Sequence, residues 1–251
     1  MKQRTYQHDY SSLKTEMYDY DSRAQKGRAM LSVLGHYFDH SLSQVSVLDI
    51  GASTGIIDSI LAEKVGRVTG IDIDSDALSS ANRKYNNPNL TFELGDALDL
   101  QYDSGTFDVV VCAQVYEHVP DAHRMMREIE RVLRPGGVCY FAATNRIILI
   151  EPHYRLPLLS MLPRRLADIY IRMMRKGTHY HELHYSYWGL KKLVKGFEII
   201  DYTAMIVRNP EKFCSERLLP PRSIKLRTAK VIVDHLFWAM PGYIWLLRKK
   251  E

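Results

Sequence analysis

Val47-Leu48-Asp49-Ile50-Gly51-Ala52-Ser53-Thr54-Gly55 decides how this chain is read. A run of branched apolar residues ends in an acid, two glycines bracket a tight turn, and Ile56, Ile57, Ile60 and Leu61 follow at helical spacing. Strand, glycine loop and helix in that order form the unit with which α/β proteins grip nucleotides. Glycine lets the backbone approach a ligand closely, and the start of the helix presents free N–H groups. Asp49 narrows the ligand. Its carboxylate repels a pyrophosphate and favours a ligand carrying an ammonium and a sulfonium, which is S-adenosylmethionine. The competing reading is a strand-end aspartate that merely caps the helix.

Downstream, the alternation of strand and helix continues. Arg67 to Ile73 reads as a second strand ending in Asp72, placed where a carboxylate can accept both ribose hydroxyls, with Asp74 as the fallback. Asp74 and Asp76 are assigned to capping the helix Asp76 to Tyr85, whose first turn favours negative charge. Asn89 to Leu94 is the third strand, opening into Gly95-Asp96-Ala97, where Asp96 can accept a hydrogen bond from an adenine amino group or simply make a turn. The unbroken apolar run Thr106 to Ala113 predicts a buried central strand ending at Gln114-Val115-Tyr116-Glu117-His118-Val119-Pro120. Asp121 to Leu133 reads as a helix broken by Pro135-Gly136-Gly137, and Val138 to Ala143 as the fifth strand.

Before and after this core the pattern changes. Residues 1–22 are polar and tyrosine-rich and are read as solvated structure rather than as Tyr18 or Arg23 folding over a ligand. A helix from Ser22 to His40 follows. Arg146 to Lys176 is basic, apolar and punctuated by Pro152, Pro157 and Pro163. Its helix, Arg164 to Lys176, sets a stripe of Leu166, Ile169, Tyr170, Met173 and Met174 opposite Arg165, Arg172 and Arg175. That pattern suits a surface helix over a core, the favoured reading, or a helix lying on an anionic bilayer. The sheet resumes from Phe197 towards Val207, a helix spans Ile224 to Met240, and Tyr243 to Leu247 closes the sheet. The expected organisation is an N-terminal cap region (1–44), a nucleotide core (45–145), a helical lid insertion (146–185) and the rest of the sheet (186–251).

A net charge of +5 on 251 residues is too modest to call for nucleic acid, though it suits an anionic substrate or membrane surface. Cys112, Cys139 and Cys214 lie far apart with no CxxC, so free thiols in a reducing compartment are expected. With no apolar signal core after Met1 and no apolar run of ~20 residues, the expected location is cytoplasmic, with peripheral contact at the inner face of a membrane if the basic lid binds one.

These motifs, with Phe107-Asp108-Val109-Val110 and Leu133-Arg134-Pro135-Gly136-Gly137, make the chain resemble class I S-adenosylmethionine-dependent methyltransferases, in particular the ubiquinone-biosynthesis-like, small-molecule group. The resemblance covers residues 45–145 well and 184–207 and 241–249 more loosely. It implies a doubly wound seven-stranded sheet of order 3-2-1-4-5-7-6 with strand seven antiparallel. It assigns Asp49, Gly51, Ala52, Ser53 and Gly55 to the methionine end, Asp72 and Ile73 to ribose, Asp96 and Ala97 to adenine, and Gln114 to the vicinity of the methionine moiety. Ser53 departs from the family, which has a middle glycine there. His184-Tyr185-Ser186-Tyr187 is similar to an aromatic segment of bacterial members acting on sugars, lipids or envelope glycans, an analogy only.

Methyl transfer from a sulfonium is an in-line displacement in which positioning and exclusion of water supply most of the rate. A hydroxyl acceptor also needs a base, for which His118, His181 and His184 are the candidates, with Glu117 or Glu182 orienting one of them. The alternation of His179, His181 and His184 is no closed metal-site spacing, so no metal is expected. The expected function is methyl transfer, foremost O-methylation, to a small-molecule, glycan or lipid-linked acceptor. The competing readings are a nicotinamide-dependent oxidoreductase and a protein that binds adenosylmethionine without turnover.

Overall fold

The structure, a computed structural model, describes Ser11 and residues 14–39 and 41–250; the first ten residues of the expected cap region lie outside the described residues. A helix, α1 (Tyr20–Phe38), precedes the first unit, β1 (Ser46–Ile50) and α2 (Ile56–Ala62). Then follow β2 (Arg67–Asp72), α3 (Ser75–Lys84), β3 (Leu90–Leu94), β4 (Phe107–Ala113), α4 (Ala122–Val132) and β5 (Leu133–Thr144). The insertion carries a two-residue hairpin, β6 (Ile150–Glu151) with β7 (Leu156–Pro157), and α5 (Arg164–Met173). The chain finishes with α6 (Tyr187–Leu193), β8 (Phe197–Asp201), α7 (Thr203–Arg208), α8 (Ile224–His235) and β9 (Gly242–Lys249).

The seven long strands form one sheet in the order β3-β2-β1-β4-β5-β9-β8, parallel except that β9 runs antiparallel to both neighbours. This is the expected 3-2-1-4-5-7-6 arrangement, counting only the strands of the main sheet. The central strands are apolar on both faces because helices cover both. Leu48, Val110, Cys112 and Phe141 pack on the α4 and α6 side, and Val47, Val109, Val111 and Tyr140 on the α1, α2 and α7 side. Cys112 and Cys139 are buried free thiols.

Three local readings are corrected. Residues 203–208 are helical: Thr203 Oγ1 accepts from the Ile244 N–H (3.0 Å) and Asp201 Oδ1 from the Ala204 N–H (3.2 Å), which ends the strand and starts α7. The strand expected from Val138 already begins at Leu133, paired with Phe107 ahead of an irregularity at Phe107/Val109. In α5 the buried positions are Ala167 and Ile171, packed with Leu156, Leu159 and Tyr180. Leu166, Ile169, Met173 and Met174 are exposed. The apolar stripe therefore faces outward, because the small core of the insertion is met by the adjoining face.

The turn between β1 and α2 depends on backbone that side chains resist. Gly55 has φ +72°, and a Cβ there would stand 2.5 Å from Phe92 Cζ and 2.9 Å from Ala81 Cβ. Gly55→Ala is expected to lower stability by about 2–4 kcal/mol, measured by urea denaturation; a change below ~0.5 kcal/mol would contradict this packing.

Candidate active site

A cavity of about 1100 Å³ opens beyond the carboxyl ends of β1, β2, β4 and β5, where open α/β sheets bind ligands. Its floor is the β1–α2 loop. Gly51 and Ala52 donate N–H to Ile71 O (2.8 and 3.0 Å), and Ser53, at φ +52°, donates its N–H to Asp72 Oδ2 (2.8 Å). The second carboxylate oxygen of Asp72 accepts from the Asp74 N–H (3.0 Å). Asp72 is thereby fixed in orientation, and each oxygen keeps a lone pair for a ligand hydroxyl. Burial raises its pKa, an effect these backbone hydrogen bonds oppose.

Asp49, Gly51, Ser53, Asp72, Ile73, Ala97 and Gln114 all line the cavity. Ala52 and Gly55 belong to the loop but not to the cavity lining. Asp74 caps α3 by accepting from the Ala77 N–H (3.0 Å), as expected. Asp96 is outside the cavity lining, and its Oδ1 accepts from the Leu98 N–H (2.8 Å) in an Asx turn. Gln114, held at φ +61°, accepts from Thr144 Oγ1 (2.7 Å) and lies at the switch from β4 to its loop.

Ser11, Lys14, Glu16 and Met17, within the stretch read as solvated, instead roof the cavity. Ser11 Oγ meets Ser53 Oγ (2.7 Å), Thr54 Oγ1 donates to Met17 O (2.8 Å), and Lys14 Nζ donates to His153 O (2.8 Å). Arg23, 7% exposed, also lines the cavity, while Tyr18 is exposed. A polar stretch without periodicity gave no signal of this, because its contacts are long-range and made by single side chains.

Asp49 lies against Asp58 of α2, a residue singled out by no motif and fully buried. Burial first, and then the charge of Asp58, push the Asp49 carboxyl well above its ordinary range. Burial raises Asp58 to about 7, with its backbone hydrogen bond and Asp49 acting the other way. The charges that reach this pair come from Arg23 and Asp72. A cation seated beside Asp49 favours ionisation of the pair.

At the other end of the cavity, the insertion brings histidines and glutamates together. His118 and His153 line the cavity, their rings edge-to-face at 5.0 Å. His153 Nδ1 donates to Glu151 Oε1 (2.5 Å), Tyr154 N–H donates to Glu151 Oε2 (2.7 Å), and His184 Nε2 stands 3.4 Å from the same Oε1. Burial acts to raise Glu151, but the hydrogen bonds from His153 and His184 prevail and hold it at about 2. Burial acts to lower His153, but its hydrogen bond to Glu151 and the charge of Glu182 raise it above the ordinary value. Of the expected bases, only His118 reaches the cavity. His181 is exposed and His184 is buried behind Glu151. His153, which no motif marked, takes the place facing the cavity. Glu117, His118 and His153, and separately Glu151, His153 and His184, have ligand atoms all within 4.8 Å of one another. Sequence spacing concealed these sets because they join the β4 loop to the insertion.

A family model described as a methyltransferase domain matches residues 48–141. The chain is 30% identical over 145 residues to the Ubiquinone biosynthesis O-methyltransferase of Hydrogenovibrio crunogenus, covering 57% of this chain and 56% of that one. It is 31% identical over 157 residues to the protein of the same name from Pseudomonas entomophila, covering 55% and 63%. The chain thus spans little more than half the length of these curated relatives. Among solved structures it resembles the PH0226 protein of Pyrococcus horikoshii, with TM-score 0.63, 18% identity and coverage of 96% and 99%. It also resembles a SAM-dependent methyltransferase of Methanosarcina mazei, with TM-score 0.55, 21% identity and coverage of 85% and 96%.

Asp58 generates a stability prediction. Its folded pKa of about 7 lies above the ordinary value of 3.8, so this group's contribution to stability is greatest below pH ~4 and is lost as pH rises through about 7. Asp58→Asn is expected to raise stability at pH 8 by on the order of 2–4 kcal/mol, a gain that fades towards pH 4. Scanning calorimetry across that range checks it; a difference independent of pH would contradict it.

Proposed function

On the premise that residues 48–141 are a class I methyltransferase domain, we propose that this protein transfers a methyl group from S-adenosylmethionine to a hydroxyl of a small acceptor bearing an apolar part. The observation that carries this reading is the pair of carboxylates, Asp49 and Asp72, on the two neighbouring strand ends that floor one cavity. Asp72 accepts the ribose hydroxyls, Gly95 and Ala97 border the adenine end, and Asp49 with Gln114 borders the methionine end. Arg23 supplies the positive charge that a carboxylate needs. The acidic floor disfavours a nicotinamide dinucleotide, whose pyrophosphate would sit against Asp49.

When bound, adenosylmethionine supplies a methyl group on a positively charged sulfur. The residues of this chain bind it, align the acceptor and exclude water. Roofing by Ser11, Lys14, Glu16 and Met17 and by Pro152 and His153 serves the last of these. The cavity lining also includes Ile206, Val207, Leu219, Ala229, Ile232 and Met240, apolar surface that favours an acceptor with a hydrocarbon portion. His118 and His153 stand where the acceptor hydroxyl loses its proton. The outward stripe Leu166, Ile169, Met173 and Met174, next to Arg165, Arg172 and Arg175, supports a lipid-linked acceptor reached at an anionic membrane surface. Among the described residues no helix is long and apolar enough to cross a membrane.

Two measurements test this reading. With tritiated methyl donor and dodecylcatechol in mixed micelles, label is expected in the extracted catechol ether. Asp72→Ala is expected to weaken adenosylmethionine binding at least tenfold by calorimetry, about 1.4 kcal/mol. Unchanged affinity in Asp72→Ala, or tight NAD binding with no response to adenosylmethionine, would overturn the assignment. For the membrane contact, the protein is expected to pellet with anionic but not neutral liposomes and to be released by high salt; equal pelleting with both would contradict it.

A further inference from the structure

Asp49 lines the cavity, but the acid behind it does not. Asp58 projects from the first turn of α2, and none of its surface is exposed. Room for it is made by Gly70, the residue that pairs with Asp49 in the β1–β2 register. A Cβ on Gly70 would stand 2.7 Å from Asp58 Oδ1, so the carboxyl rests against bare backbone of β2. Neither of its oxygens meets a hydrogen-bond donor from another described residue. Its neighbours are the Asp49 carboxyl, 5% exposed, and the charges of Arg23 on α1 and Asp72 on β2. The Cys112 thiol of β4, which feels Asp49, is kept neutral by burial.

Two ionised carboxylates offer only acceptors and repel each other. Three acids around one guanidinium also leave an excess of negative charge out of water. A single proton resolves both, because the protonated acid donates to the ionised one. Burial, which raises Asp58 to about 7, agrees with a proton held there near neutrality.

We propose that Asp49 and Asp58 share one proton in the unliganded protein and release it to solvent when the cationic methyl donor binds, so that Asp58 strengthens the preference for donor over spent product. This rests on adenosylmethionine placing its methionine end beside Asp49, as in the methyl-transfer reading. Asp58 touches no ligand and acts through Asp49, as a positioning residue. Donor and product carry the same ammonium and carboxylate and differ by the charge on sulfur. With the sulfonium present, the doubly ionised pair is favoured. After transfer the sulfur is neutral, that attraction is gone, and the pair takes a proton back from solvent. The negative charge of the pocket thus follows the ligand it holds.

Calorimetry of adenosylmethionine binding to the full chain, in two buffers of different ionisation enthalpy, counts the protons released. At pH ~6.5 a release of about half a proton or more per donor is expected, with clearly less for adenosylhomocysteine. Donor affinity is expected to rise about tenfold between pH ~5.5 and ~7.5. The amide of Asp58→Asn can donate to Asp49 but cannot titrate. That variant is expected to abolish the release, flatten the pH profile and shrink the donor-to-product affinity ratio about threefold or more. The exposed Asp103→Asn is expected to leave all three unchanged. No release in the unaltered protein, equal release with adenosylhomocysteine, or an unaltered pH profile in Asp58→Asn overturns the proposal. Should Asp58→Asn lose its thermal transition, infrared difference spectroscopy of the unaltered protein decides. A protonated-carboxyl band lost on donor binding supports the shared proton, and no such band overturns it. Donor binding without proton release overturns the coupling alone and leaves the transfer reading standing; no donor binding overturns both.

Discussion

Everything in this site depends on one hydrogen bond, the Ser53 N–H given to Asp72 across the ends of β1 and β2. It exists because the loop runs through left-handed backbone at Gly51, Ser53 and Gly55, which turns successive N–H groups towards the neighbouring strand. Serine tolerates that region less readily than glycine. Here its hydroxyl meets Ser11 and its N–H meets a carboxylate, so the strain is held by contacts on both sides. The loop thus joins the cavity floor to its roof.

The cavity has two electrostatically distinct ends. At one, Asp49, Asp58 and Asp72 gather carboxyl groups whose ionisation a cation promotes, with Arg23 nearby, a setting that favours a positively charged ligand and resists an anionic one. At the other, glutamates and histidines from the β4 loop and the insertion share protons and charge. Apolar residues of α7 and α8 add to the lining. A positively charged donor, a polar reacting group and a hydrocarbon portion therefore each find a matching surface.

Much of the sheet was legible because its signals are local: apolar runs, acids at strand ends, and glycines where the backbone needs them. Strand order, the placement of Asp49 and Asp72 beside the cavity and the cap at Asp74 all followed from such signals or from the resemblance they support. What escaped was set by contacts between distant segments. Asp58 sits in an ordinary helical pattern, and only the tertiary packing of α2 brings it to Asp49. His153 lies in a proline-punctuated stretch with no period, yet the β6–β7 hairpin aims it into the cavity, while His181 and His184, in a richer histidine pattern, end up outside. In α5 the stripe read by periodicity is apolar but exposed, because helical spacing identifies a face and not what covers it. Asp96 was read for its position, and one of its carboxylate oxygens accepts from its own backbone two residues on.

The central claim is that the acidic floor seats a sulfonium-type nucleoside. The most direct measurement is a crystal structure grown with adenosylhomocysteine. The account predicts the ribose hydroxyls on Asp72 and the amino group within reach of Asp49; a phosphate or dinucleotide bound there instead, or the nucleoside seated elsewhere, would contradict it.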